Sequence, residues 1–183
     1  MAQLTIAVKV RSEIGGNRPR QIRRNGLLPV VLYGGNEETL SLILDQGHLK
    51  QTAGMLRENQ IVSLEVELDG KKIKKTAMIK EIQIDHLRRK ILHIDFLQIA
   101  LDEKLSVSIP IVAIGDAIGV TQEGGILEHI LREIEIECLP ADLPEKIEMD
   151  VSALGVGDTL HVKDIPPMAG IEILTEDTLG IIT

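Results

Sequence analysis

The chain has 183 residues, 44% hydrophobic and 26% charged, which fits a globular protein long enough to bury a core without disulfide staples. Its one cysteine, Cys138, excludes an internal disulfide and fits a reducing cytosol, and no apolar run approaches the roughly 20 residues that span a bilayer. The net charge of −8 conceals a split: residues 1–98 carry 16 Lys+Arg against 11 Asp+Glu, a net +5, whereas residues 99–183 carry 4 against 17, a net −13.

That sign change divides the chain into a basic domain, 1–98, and an acidic domain, 99–183. Only the first attracts a polyanion; the second repels phosphate and is expected to face away from any RNA. Tyr33 and Phe96 are the only aromatic residues. The core must therefore be aliphatic, and the abundance of valine, isoleucine and leucine favours strands.

In chain order, Leu4, Ile6, Val8 and Val10 alternate with Thr5, Ala7 and Lys9, predicting a half-buried strand over 3–10. This alternating start reads as neither signal nor transit peptide. Gly15-Gly16 break the strand, Asn17 caps a short helix with Pro19 in its first turn, and Gly26 ends it, with Ile22 toward the core. Pro29 opens a strand through Tyr33, stopped by Gly34-Gly35-Asn36. Further elements are a strand over 40–44, a helix over 48–56 and a strand over 61–68. Asp69-Gly70 is a two-residue hairpin signal, because both central positions need φ > 0. The return strand runs over about 73–84, and another follows His93. Short strands with one or two short helices point to a small barrel.

In the acidic half, 105–114 and 134–138 alternate cleanly, with Glu133, Glu135 and Glu137 outward and Ile134, Ile136 and Cys138 inward. Segments 147–151, 159–162, 171–174 and 179–182 read as further strands. Gly115, Gly119 and Gly124-Gly125 read as turns. The fold class is thus mainly β: an N-terminal barrel and an all-β C-terminal domain.

Motifs for catalysis are missing: no Walker A loop, no G-x-S-x-G, no H-E-x-x-H, no EF-hand loop and no paired C-x-x-C. Gly155-Val156-Gly157-Asp158 lacks the third glycine of a dinucleotide loop and reads as a turn. A Cys138 thiol paired with His129 or His161 is conceivable as a nucleophile, but Cys138 shares the apolar face of Ile134 and Ile136, where cysteine acts as a small hydrophobe. An enzyme, a cofactor and a small-molecule substrate are not expected.

The basic residues carry the stronger signal. Arg11 ends the first strand. Arg18, Arg20, Arg23 and Arg24 crowd the turn and helix that follow, and positions 20, 23 and 24 share one helical face. Arginine's planar fork donates two hydrogen bonds to one phosphate. A merely solvated face usually mixes signs, yet no acid lies between Glu13 and Glu37. Arg88, Arg89 and Lys90 form a second basic loop, also within reach of phosphate, while Lys71, Lys72, Lys74 and Lys75 read as a soluble hairpin tip. His93 and Asp95 share a strand face and suit ribose hydroxyls or base edges; alone, such a histidine is usually a plain surface residue, and no second pair completes a metal site. Two aromatics cannot build a stacking platform for single strands, so an RNA partner would be double-helical or folded.

The stretch from Arg20-Gln21-Ile22-Arg23-Arg24 through Asn25-Gly26-Leu27-Leu28-Pro29 to Tyr33-Gly34 resembles the bacterial large-subunit proteins that bind 5S ribosomal RNA. So does Lys80-Glu81-Ile82-Gln83-Ile84-Asp85 with His93-Ile94-Asp95-Phe96. Gly119-Val120, Cys138-Leu139-Pro140 and Gly157-Asp158-Thr159-Leu160-His161-Val162 are similar to the second domain of the two-domain form, also called general stress protein CTC. The resemblance covers nearly the whole chain. It implies a six-stranded barrel docked on 5S RNA, other large-subunit components as partners, and a cytoplasmic, ribosome-associated protein without membrane contact. Carried over by position, it implies RNA contacts at Arg11, Arg23 or Arg24, Tyr33, His93 and Asp95, with Arg20, Lys80 and Gln83 as neighbours. Two alternatives stand beside it: a non-ribosomal RNA-binding stress factor, and an acidic protein-interaction module.

Overall fold

The computed structural model describes residues 4–11, 15–35, 38–47, 56–68, 70–85, 87–88, 90–100 and 102–183. The chain forms two units, Met1–Ala100 and Leu101–Thr183.

In the first unit, β1 (Leu4–Val10), β2 (Leu27–Tyr33), β3 (Leu40–Asp45), β4 (Ile61–Leu68), β5 (Lys71–Asp85) and β6 (Lys90–Gln98) close a barrel in the order β1-β3-β2-β6-β5-β4. Closure uses two parallel pairings, β1 with β4 and β2 with β6, and leaves no sheet edge open. Period-two alternation sends Val8, Leu28, Val30, Leu42, Leu64 and Phe96 into the barrel, where they are buried.

The expected strands are present with shifted ends. β2 begins at Leu27 rather than at Pro29. Proline has no N–H to donate, and Pro29 sits one residue before the β6 pairing starts at Val30, so the strand tolerates it. Leu68 faces Lys71 across a two-residue turn in which Gly70 has φ +78°. Asp69 and the helix expected over 48–56 lie outside the described residues, apart from buried Leu56.

The short helix α1 (Arg18–Arg24) has Pro19 in its first turn, and Gly26 follows it at φ +76°. Asn17 occupies the N-cap position but makes no side-chain cap bond, because its backbone (φ −86°, ψ 8°) is not the extended conformation a capping side chain needs. No residue of α1 is fully buried, so Ile22 is only half-sunk and the helix rests on the barrel surface.

Two bulges break the β5–β6 ladder, one between Ile79 and Glu81 and one between Gln83 and Ile84. The first leaves Lys80 unopposed and resets the alternation. Ile79 and Ile82 can then both serve the core while Glu81 and Gln83 stay outside. The second leaves Leu92 unopposed on β6.

In the second unit, β7 (Leu105–Ile114), β8 (Glu133–Cys138), β9 (Ile147–Asp150) and β11 (Ile171–Ile173) form a sheet in the order β11-β8-β7-β9, and β10 (Leu160–His161) pairs with β12 (Gly180–Ile182). Val107, Ile109, Ile134, Ile136, Cys138 and Met149 are buried on one face. Gly119 is a correction: it lies within a one-turn helix, α2 (Ile118–Thr121), not in an open turn. A Cβ there would come within 2.9 Å of the Gly155 backbone, so the glycine serves close packing between two segments.

Candidate nucleic-acid interface

Residues 20, 23 and 24 do share a face of α1, and that face lines a cleft of about 450 Å³. The opposite wall comes from the β5–β6 turn, with Arg88 and Lys90. Five cations therefore converge around one acid, Asp85. That carboxylate is largely committed: its Oδ1 accepts the Leu87 and Arg88 amides at 3.1 and 3.0 Å, and its Oδ2 lies 3.9 Å from Arg88 Nε. Among the described lining residues the cleft keeps a strong positive excess.

Arg23 differs from its neighbours. It is half-buried, and its Nη1 donates to the Leu92 carbonyl at 2.9 Å. Leu92 is the bulged residue, so its carbonyl is outside the regular ladder and free to accept. The bond ties α1 to β6. Arg20 and Arg24 stay exposed on the same helix.

Next to Leu92 the outer barrel face turns from basic to mixed polar. His93 Nδ1 lies 2.7 Å from Asp95 Oδ1. Cross-strand register sets Gln83 opposite His93 and Glu81 opposite Asp95, and Gln83 Nε2 donates to Glu81 Oε1 at 3.1 Å. Tyr33 comes from the other side, on β2. Burial first, then the Asp95 and Glu81 carboxylates, push its phenol above the ordinary value. Its hydroxyl therefore remains a proton donor.

Arg11 extends the same row. Its amide donates to the Ser41 carbonyl at 2.9 Å, Ser41 faces Val31, and Val31 faces Asp95. Three strand spacings of about 4.8 Å separate it from Asp95. The Arg11 Nε and Nη1 are buried without a hydrogen-bond partner among the described residues.

The model of the ribosomal L25p family matches residues 6–96, and that of the C-terminal domain of ribosomal protein TL5 matches residues 104–183. The chain is 42% identical over 183 residues to a protein of Moorella thermoacetica, covering all of this chain and 88% of the relative. A Halothermothrix orenii relative is 39% identical, with all of this chain and 82% of the relative covered. A Pseudomonas aeruginosa relative is 35% identical, covering 95% and 85%. All three carry the name large ribosomal subunit protein bL25.

The chain belongs to the ribosomal L25p family.

Its family is one of ribosomal proteins, not of enzymes, in line with the missing catalytic motifs. Within this L25p barrel, Tyr33, Gln83, His93 and Asp95 form one patch, and Arg20, Arg23 and Arg24 form the neighbouring cleft. Lys80 is half-buried at the first bulge, beside Glu81. Two participants were not singled out from sequence: Glu81 and the Leu92 carbonyl. Glu81 was hidden because the bulge moves it to the outer face, and a bulge depends on register, not on local pattern. Arg88 and Lys90 carried a legible signal, a basic loop with no acid among residues 86–92; their position opposite α1 did not.

Proposed function

We propose that this chain is a structural constituent of the large ribosomal subunit, ribosome-associated in the cytoplasm, and that its barrel binds 5S ribosomal RNA. The observation that carries the reading is the junction at Leu92, where a five-cation cleft meets a polar patch on one barrel surface. Arg20, Arg24, Arg88 and Lys90 neutralise phosphates and release counterions, which supplies affinity. The patch supplies register. With Nδ1 held by Asp95, the His93 ring has a fixed orientation and presents Nε2 to a ribose hydroxyl or base edge. Glu81 and Asp95 repel phosphate but accept from base amino groups. The surface thus suits a folded RNA whose backbone enters the cleft while a groove lies over the patch. Arg11, three strands along the same row, adds positive charge at the far end of the patch.

Binding of the full chain to 5S ribosomal RNA and to an unrelated duplex across a salt series tests this. Selective binding is expected, with Arg23→Ala and His93→Ala each losing about 1–3 kcal/mol on 5S RNA. Equal, weak binding to both RNAs, unmoved by either substitution, would refute the reading.

A further inference from the structure

The outer face of the β11-β8-β7-β9 sheet is not used by anything described above. Its centre is the outward row of β7: Ser106, Ser108, Pro110, Val112 and Ile114. Val112 and Ile114 are exposed at 39% and 43%. Beside the first three residues lies β8, whose outward Glu137, Glu135 and Glu133 face Ser106, Ser108 and Pro110. Beside the last two lies β9, whose Glu148 and Asp150 face Val112 and Ile114. A narrow floor of small and apolar side chains is therefore flanked by two rails of carboxylates. Lys104 spans Glu137 and Glu172 at 3.4 Å each, and Lys146 pairs with Glu148. Glu133 and Glu135 have no ion-pair partner among the described residues.

We propose that this face docks an extended, basic protein segment. Carboxylates at i, i+2 and i+4 on β8 recur at about 7 Å, and an extended chain presents every second side chain at the same interval. Lysines or arginines at alternate positions would meet the β8 rail one for one, with small residues over the β7 floor. The net −13 of residues 99–183 excludes nucleic acid from the face and disfavours a second copy of the same acidic domain. Only a cationic occupant gains from both rails. The inference does not depend on the barrel's RNA partner.

The test is an amide chemical-shift titration of the full chain with a peptide of alternating lysine and alanine. Shifts are expected to concentrate in β7, β8 and β9. Glu133→Gln with Glu135→Gln, a nearly isosteric pair of surface changes, should weaken binding by about tenfold. The charge-matched pair Glu128→Gln with Glu176→Gln, outside this sheet, should weaken it by less than about threefold. Shifts spread over Glu123, Asp158 and Asp177 as well, equal losses from both pairs, or no shifts at all would overturn the proposal. Binding to 5S RNA, measured on the same variants, reports separately on the barrel.

Discussion

Arg23 and Arg24 are adjacent in sequence yet stand in different chemical situations. One guanidinium is half-buried and spends a donor on the Leu92 carbonyl; the other projects into solvent at the cleft. Arg24→Ala should therefore act as the loss of one phosphate contact: affinity falls about equally for every RNA, and the salt slope decreases by about 1. An unchanged slope in the salt series would show that Arg24 meets no phosphate. Tyr33 carries a different expectation. Its phenol is raised above the ordinary 10.0 by burial and by two carboxylates. A group with a raised folded pKa favours folding while it is protonated. That contribution is complete below 10.0 and is lost as pH rises through the folded value. Urea midpoints followed from about pH 8 to about pH 11 should decline for the native chain, and less steeply for Tyr33→Phe. Parallel curves would remove the phenol from the account.

At the scale of elements, α1 is the weakest piece that matters. Seven residues cannot hold a helix by propensity alone, and the segment buries no side chain fully. The Arg23–Leu92 bond is a polar tie from it to the barrel. Arg23→Ala should cost about 1 kcal/mol and speed hydrogen exchange at Asn25 and Gly26, whose amides bond back to Gln21 and Arg23. An exchange pattern equal to that of the native chain would mean that packing alone seats the helix. Local pattern revealed much at this scale. Strands such as 4–10, 61–68 and 133–138 were readable because one face meets a core and the other meets water. The bulges at Lys80 and Leu92 were not readable, because a bulge exists only relative to a partner strand. The parallel closures, β1 on β4 and β2 on β6, were equally silent, since alternation says which face is buried but not which neighbour is paired. Hence Arg20, Arg24, His93 and Asp95 could be nominated individually and Tyr33 through the family resemblance, whereas the cleft and Glu81 required the register.

At the scale of the whole molecule, the charge split has a consequence that does not depend on any single contact. A domain of net −13 tethered to a barrel of net +5 lowers the potential felt by an approaching polyanion, whatever the angle between the two units. It should suppress adventitious RNA binding while leaving specific contacts intact. The barrel closes on its own core, so residues 1–98 can be compared directly with the full chain. On an unrelated duplex at low salt, the isolated barrel should bind about tenfold more tightly, or about 1.4 kcal/mol. The difference should vanish toward about 1 M salt, where the screening length falls to about 3 Å. A gap that persists at high salt would mean that the acidic half blocks RNA by contact rather than by field. No gap at low salt would mean that the two charge fields act independently, and the acidic half would then owe its charge solely to partners of its own.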